Sequence, residues 1–347
     1  MEEKKKLGQF YTTNQEYILN GLKIPNKIVN IIEPFAGNGD LKNFIDKNNK
    51  NNKKYKVEYY DIKPKKDYII KKDTLNNPPD YNNKFLITNP PYLARNKSKD
   101  KSIFNKYDVN DLYKCIIKEI LTNKCLGGIL IIPLNFWSSI RKNDIKLRKL
   151  FLEKYNVVLL NIFEEKVFED TTYTICSFQF EIKTDNKENK INIIIYPSKN
   201  KIETILNNDN NYLIGGDIYK LKLNNKYKIS RLTKKNIEDK NTNILVKCID
   251  DNKDNKISLS LVDDDKIYID ETPNLSSRTY ATLVIKPILD KKKQKKLVKK
   301  FNEYLNNHRE KYNSLFLTNY RESKDIARKR ISFDLVYSIV QYILENF

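Results

Sequence analysis

The chain has 347 residues, with 65 Lys and Arg against 44 Asp and Glu and a formal net charge of +21. That length favours two domains with proper cores. The positive balance points toward a polyanionic partner such as nucleic acid, although abundant Lys, Asn and Ile also fit a solvated surface written in AT-rich codons. Four cysteines (Cys115, Cys125, Cys176, Cys248) without C-x-x-C pairing and a single histidine, His308, show no secreted disulfide pattern and leave too few ligands for a zinc site, and no metal is expected. The opening M-E-E-K-K-K carries no apolar signal region, and no stretch approaches the ~18 consecutive apolar residues of a membrane span. A soluble cytoplasmic protein with reduced thiols is therefore expected.

Apolar, β-branched runs at Ile28–Ile32, Lys56–Tyr60, Tyr68–Ile70, Phe85–Thr88, Gly128–Pro133 and Val157–Phe163 read as buried strands. Helix-length segments separate them; Asp111–Leu121, with Leu112, Cys115, Ile116 and Ile120 at helical spacing, and Ile145–Leu152 are the clearest. Alternation of this kind predicts an α/β fold with a mostly parallel sheet. Tyr173–Glu181 alternates less cleanly and reads as an antiparallel edge strand. The charged K-T-D-N-K-E-N-K at Lys183–Lys190 reads as a linker or exposed hairpin, so the domains are expected to be 1–184 and 185–347. Beyond it, Ile191–Tyr196, Ile244–Ile249, Lys256–Val262 and Tyr280–Ile285 read as short strands. Two amphipathic helices close the chain: Lys291–Tyr312, with Leu297, Val298, Phe301, Tyr304 and Leu305 on one stripe, and one carrying Leu335, Val336, Ile339, Val340, Ile343 and Leu344.

Chemistry concentrates at the expected strand ends. E-P-F-A-G-N-G-D (Glu33–Asp40) follows the first strand, and Gly37 and Gly39 let the backbone adopt φ > 0 and approach a ligand closely. The spacing is neither a dinucleotide fingerprint, since Lys42 stands where the third glycine would be, nor a triphosphate cradle, which needs G-K-[ST]. Glu33 would repel a pyrophosphate and attract an ammonium or sulfonium. Asp61 ends the second strand, where doubly wound folds accept hydrogen bonds from ribose hydroxyls, and Asp73 follows the third, placed to accept from an adenine amino group. A lone Asp in either place reads more readily as a helix N-cap, a reading that weakens when both stand with Glu33 and the glycines along one edge of the sheet. After the fourth strand comes N-P-P-Y (Asn89–Tyr92). Pro90 and Pro91 have no N–H, so the Asn89 side-chain oxygen and the Pro90 carbonyl form a pair of acceptors suited to a planar –NH2 group, with the Tyr92 ring a surface for stacking.

The ordered set L-G-Q-F-Y-T (Leu7–Thr12), E-P-F-A-G-N-G (Glu33–Gly39), Asp61, Asp73 and N-P-P-Y resembles the S-adenosylmethionine-dependent DNA adenine-N6 methyltransferases of the gamma motif order, over about the first 180 residues. The resemblance implies a Rossmann-like methyltransferase fold, a mostly parallel seven-stranded sheet with one antiparallel strand, followed by an α+β target-recognition region. It implies that Phe10, Tyr11 and Thr12 cover the methionine end of the cofactor and that Glu33 meets its ammonium group. Phe35, Ala36, Gly37 and Gly39 would form the cofactor loop, Asp61 would hold the ribose and Asp73 the adenine. Asn89, Pro90, Pro91 and Tyr92 would grip a flipped base. V-F-E-D-T-T-Y-T (Val167–Thr174) resembles the motif that supplies an aromatic residue to the base's other face, with Phe168 first and Tyr173 second; Phe168 reads equally as core. Thr13 departs from the pattern, since many relatives carry Pro there.

The implied partner is double-stranded DNA, met by a monomer that forms the modification half of a restriction–modification system and makes no stable contact with an endonuclease. Eight lysines and one acid in Lys286–Lys300 read as phosphate contacts or as a solvated face. Arg278, Arg321 and Arg330 offer forked donors suited to guanine edges, and the lysine-rich loop Asn96–Lys101 is expected against the bound strand. N-P-P-Y also occurs in protein-glutamine and RNA methyltransferases, and an inactive nucleic-acid-binding protein on the same scaffold is the rival of another class. Glu164–Lys166 spells the E-x-K of some nucleases, a tripeptide frequent by chance in a chain this rich in both residues.

Overall fold

The computed structural model describes residues 12, 14–49, 55–168, 171, 173–184, 188–250, 256–271, 279–322 and 327–347, with the backbone alone described at 319–322. These residues divide into two compact units, one formed by residues up to 136 with 142–206, the other by 137–141 with 207–347.

The first unit contains α1 (Gln15–Ile18), β1 (Asn30–Glu33), α2 (Lys42–Lys47), β2 (Lys56–Asp61), β3 (Ile70–Lys71), β4 (Phe85–Thr88), α3 (Ser102–Tyr107) and α4 (Tyr113–Thr122). It continues through β5 (Gly127–Pro133), the short α5 (Asn135–Ser138) at its margin, α6 (Lys142–Lys154), β6 (Tyr155–Phe163), β7 (Ile175–Ile182), β8 (Asn189–Tyr196) and β9 (Asn200–Leu206). The strands form one sheet in the order β3-β2-β1-β4-β5-β7-β6-β8-β9. Pairings from β3 to β5 and between β6 and β8 are parallel, while those of β7 and β9 are antiparallel.

The expected α/β class and mostly parallel sheet are observed, with three differences. The sheet has nine strands among the described residues, not seven. Ile191–Tyr196, read as part of the second region, lies in β8 and pairs in register with β6 from Leu159↔Asn192 to Phe163↔Tyr196, so the first unit runs to Leu206 and the expected break after residue 184 falls inside it. The strand expected at an edge, β7, is interior and antiparallel, clasped between β5 and β6. Its residues from Ile175 to Phe180 are buried on both faces, which is why the polar-apolar alternation of an exposed edge is missing. Phe178 and Phe180 join Phe151 and Tyr155 in an aromatic cluster with Phe180 ring centroids 5.2 Å from Phe151 and 5.0 Å from Tyr155. Each fully buried apolar side chain of this kind contributes roughly 1.5–3 kcal/mol.

Chain order and spatial order diverge at one place. The strands run outward from β1 through β2 to β3, and the chain then returns to lay β4 on the opposite side of β1. Open α/β sheets bind ligands in the crevice at such a switch point, beyond the carboxyl ends of the strands. Glu33 is the last residue of β1 and Asn89 the first after β4, so both flank the crevice.

The second unit has a four-stranded antiparallel sheet, β10 (Lys228–Arg231), β14 (Tyr280–Lys286), β11 (Ile244–Lys247) and β13 (Ser258–Leu261), and a three-stranded one of β12 (Ile249–Asp250), β16 (Ala327–Arg330) and β15 (Thr318–Glu322). The long helix α7 (Lys291–Tyr312) has the expected limits. Asp290 caps its N-terminus, accepting from the Lys293 N–H at 2.7 Å. Leu297, Phe301 and Leu305 are buried, with Val298 and Tyr304 at the margin of the same core. Val336, Ile339 and Val340 of α8 (Phe333–Glu345) complete that core against the sheet residues Val246, Leu283 and Ile285.

Candidate active site

At the carboxyl end of β1 the chain turns through Gly37 and Gly39, at φ 55° and 79°. The positive φ favours glycine at position 39; a Cβ there would also stand 1.9 Å from the Tyr68 hydroxyl, the far end of an exposed side chain that can swing aside. Asp61 fixes this turn. It is buried, and its carboxylate accepts from the Gly37 N–H at 2.8 Å and from the Lys63 N–H at 2.8 Å. The side chain is therefore a clamp on the loop rather than a helix cap, with lone pairs left for further donors. Thr74 ties the next loop in by donating to the Pro34 carbonyl at 2.9 Å. Asp73 accepts from the N–H groups of Leu75 and Asn76 and from the Asn76 side chain, the turn-forming bonds of a capping residue.

Glu33 is the anomaly of the site. It is 1% exposed, and its Oε2 finds no hydrogen-bond partner among the described residues. Burial first, then the nearby Asp40 and Asp61, holds its carboxyl well above the usual carboxylate range. Burial also raises Asp40, against the Thr12 N–H that donates to it at 3.1 Å. A cavity walled by acids and containing an orphaned carboxylate oxygen favours a cation that can donate hydrogen bonds.

On the β4 side, the Asn89 amide nitrogen donates to the Thr12 hydroxyl at 3.0 Å, so Thr12 bridges Asp40 and Asn89. Asn89, Pro91, Thr12, Glu33, Gly37 and Asp61 line one cavity of ≈ 230 Å³. Phe35, Ala36 and Asp73 also line it. Of the remaining expected cofactor residues, Gly39 shapes the loop behind it, while Phe10 and Tyr11 lie outside the described residues.

Tyr92 takes a different place from the one expected. It is 3% exposed and is not part of the cavity wall; its ring meets Tyr113 edge-on at 6.3 Å. Its hydroxyl donates to the Ile131 carbonyl at 2.7 Å and also contacts the Asn89 Oδ1. A hydroxyl has one proton, so the two oxygens compete for it. The ring face expected to stack a base is here packed into the core, because β5 offers the phenol a buried acceptor. Pro90 is buried beside it, outside the cavity wall.

Phe168 is buried and Tyr173 half-buried, and neither lines the cavity. Arg278 lies outside the described residues, as does the Arg321 side chain. Arg321 and Arg330 belong to strands β15 and β16 of the second unit. The loop expected against a bound strand instead turns Ser98 and Asp100 into the cavity, and α3 behind it contributes Ile103 and Phe104. These apolar walls, with Leu75, Leu93 and Leu112, were missed in the sequence; the signal was the I-F pair at Ile103 and Phe104 amid lysines. All four cysteines are buried free thiols, and burial pushes Cys115 up to about 12 and Cys125 up to about 11, which leaves them unreactive. Among the described residues no group of three His, Cys, Asp or Glu is arranged to hold a metal ion, and no helix is long and apolar enough to cross a membrane.

No protein-family model and no curated protein matches the sequence. Several solved structures share part of its arrangement of strands and helices. One is the modification subunit of a type I restriction enzyme from Vibrio vulnificus, 13% identical over 54% of this chain and 47% of that one, with a TM-score of 0.42. Another is the methyltransferase subunit of a type I restriction-modification system from Streptococcus thermophilus, 13% identical over 55% and 48%, with a TM-score of 0.39. A third is the type IIG restriction endonuclease BpuSI, 12% identical over 65% and 35%, with a TM-score of 0.41. The chain spans about half the length of those type I subunits.

Proposed function

We propose that the protein is an S-adenosylmethionine-dependent DNA methyltransferase that modifies the N6 amino group of adenine, of the gamma motif order and acting in a restriction–modification system. One observation carries this reading: Asn89 and Pro91 of N-P-P-Y share a single cavity, at the switch point of the sheet, with Glu33, Gly37 and Asp61. The orphaned Glu33 oxygen fits the cofactor, whose α-ammonium is a hydrogen-bonding cation. S-adenosylmethionine supplies an electrophilic methyl group on a sulfonium.

The chain's own residues do the rest. Glu33 would neutralise the ammonium, Asp61 would offer its remaining lone pairs to the ribose, and the apolar walls around Phe104 and Leu112 would take the cofactor's adenine beside Asp73. An adenine inside a duplex is out of reach, so the target nucleotide is rotated out at a cost of a few kcal/mol. The oxygen of Asn89, which lines the cavity, would accept one N6 hydrogen, and the carbonyl of Pro90, buried outside the cavity wall, would take the second only after the loop shifts; together they would favour a tetrahedral nitrogen with an available lone pair. The attacking amine starts neutral and would shed one N6 proton to solvent during or after transfer, with the C–S bonding pair returning to sulfur to leave a thioether, so neither histidine nor thiolate is needed. Tyr92 takes part in stacking only after its ring leaves the site beside Tyr113, with Phe168 or Tyr173 on the base's other face. The second unit, carrying the α7 lysines, Arg278, Arg321 and Arg330, would hold and read duplex DNA, and the protein is expected to work as a monomer.

Incubation with labelled S-adenosylmethionine and unmethylated duplex DNA, followed by nucleoside analysis, tests the reading. N6-methyladenine is the expected product. Label on RNA or on protein glutamine would replace this substrate with one of the rivals, and cofactor binding without any transfer would favour the inactive scaffold.

A further inference from the structure

We infer that a second cavity in the first unit, beside the loop that follows N-P-P-Y, binds a backbone phosphodiester of the DNA strand. The inference rests on the proposal that DNA is the substrate. The cavity measures ≈ 240 Å³ and lies between that loop, the segment Asp108–Asn110 and the faces of α4 and α6. Arg95, Lys114, Lys118 and Lys146 bring four cations to its wall against two carboxylates, Asp108 and Asp144, a balance of +2. Asp144 is already engaged: it pairs inside the wall with Lys114, each side chain being only 6% exposed. Lys114 also donates to Asn110 at 2.7 Å. The ion pair thus anchors that part of the wall, leaving Lys118 and Lys146 together with Arg95, whose guanidinium also donates to the Asn105 side chain at 2.6 Å, and one carboxylate among them.

Shape and chemistry select the occupant. No aromatic ring lines the cavity, so it offers a nucleobase nothing to stack on, whereas lysine and arginine donors suit the anionic oxygens of a phosphate. Its position relative to the catalytic loop is fixed by backbone pairing. Arg95 N–H donates to the Asn110 carbonyl at 2.9 Å, Leu112 N–H to the Leu93 carbonyl at 3.2 Å, and Leu93 N–H to the Asp111 carboxylate at 3.1 Å. A phosphate held here sets the register of the strand relative to Asn89 without reading any base.

The test is fluorescence-anisotropy titration of duplex DNA across a salt series, with wild type, K118Q/K146Q and the control K149Q. Lys149 is an exposed lysine of the same helix, outside the cavity. All three altered side chains are partly or wholly exposed, so unfolding midpoints close to wild type are expected. The paired variant is expected to lose affinity about tenfold at low salt. Its slope of log affinity against log salt should shrink by about 0.9, the value for one neutralised phosphate, while K149Q stays near wild type. An equal loss per removed lysine, two in the pair and one in the control, would reduce the cavity to a share of the general positive field and overturn the inference, as would an unchanged slope in the pair. Wild type that fails to bind DNA at all overturns the DNA reading itself, a result distinct from either.

Discussion

The two units bury apolar residues equally well but carry different kinds of information. In the second, the stripe Leu297, Phe301 and Leu305 of α7 meets Val336, Ile339 and Val340 of α8, and two buried acids are paired within the unit, Asp250 with Arg309 at 2.9 Å and Asp270 with Arg231 at 3.3 Å. In the first, the charges turn inward: Glu33, Asp61, Lys114, Asp144 and Arg148 are all buried. Burying an ionisable group costs free energy unless partners are supplied. Lys114 and Asp144 supply each other, whereas the Glu33 oxygen waits for a partner. The second unit's buried acids are paired within the unit, whereas the Glu33 Oε2 has no partner among the described residues, which is what a ligand would supply.

The comparison breaks most sharply at Asn89. Asn89→Ala is expected to lower methyl transfer by about 10²–10³-fold, the scale of removing one preorganised polar group from a reacting centre, while calorimetry still detects cofactor binding. Turnover near wild type would remove Asn89 from the chemistry and return the first unit to the status of the second.

Next in size is Glu33→Gln. Folding raises the Glu33 pKa, so this group's contribution to the stability of the ligand-free protein is largest below its unfolded value near 4.5 and is lost as pH rises through the folded value. Above that window Glu33→Gln is therefore expected to raise the unfolding midpoint, and at low pH to change it little. Binding of an ammonium requires the charged carboxylate, so below the folded value, where the free carboxyl holds its proton, cofactor binding to wild type should release a proton, seen by calorimetry in buffers of different ionisation enthalpy. The variant should bind weakly and release none. A variant that is less stable above that window, or proton release that persists in it, would place the titrating group elsewhere.

A smaller effect is expected from the surface of the second unit. Lys292→Gln with Lys295→Gln removes two exposed charges from α7. If that face meets DNA, the salt slope falls by about 0.9 for each phosphate that is no longer neutralised, with cofactor binding unchanged. An unaltered slope makes the lysines a solvated face.

How much of the molecule is legible in its sequence follows from the same contrast. Periodicity exposes α7 to its terminal residues, because a long amphipathic helix repeats one signal many times. E-P-F-A-G-N-G and N-P-P-Y are legible because glycine and proline constrain the backbone wherever they stand. The place of β7 is not: an interior antiparallel strand buried on both faces has no alternation to detect. Nor is the run from Asn189 to Leu206, whose charged approach looks like a linker although the hydrogen bonds of β8 and β9 carry it into the first sheet. Within the site, the polar residues at strand ends stand out, but the walls at Ile103 and Phe104 come from a six-residue helix, too short to show a period.

Tyr92 gives the smallest and most discriminating test, because sequence and structure assign it to different surroundings. As a stacking platform its ring matters and its hydroxyl does not. In its observed place the hydroxyl donates to the Ile131 carbonyl and competes for the Asn89 oxygen. Tyr92→Phe keeps the ring and deletes the proton that the two oxygens share. The loss of one buried hydrogen bond predicts a stability decrease of about 1 kcal/mol in chemical unfolding. Transfer should stay within about threefold of wild type, since a cost below roughly 1 kcal/mol changes a rate by less than tenfold, and Asn89 is freed from a competing donor. Tyr92→Ala removes the ring as well and should abolish transfer at a larger cost in stability. A Tyr92→Phe enzyme as inactive as the Tyr92→Ala one would mean that the hydroxyl itself orients Asn89 during the reaction, and that the buried position of the ring is the working one.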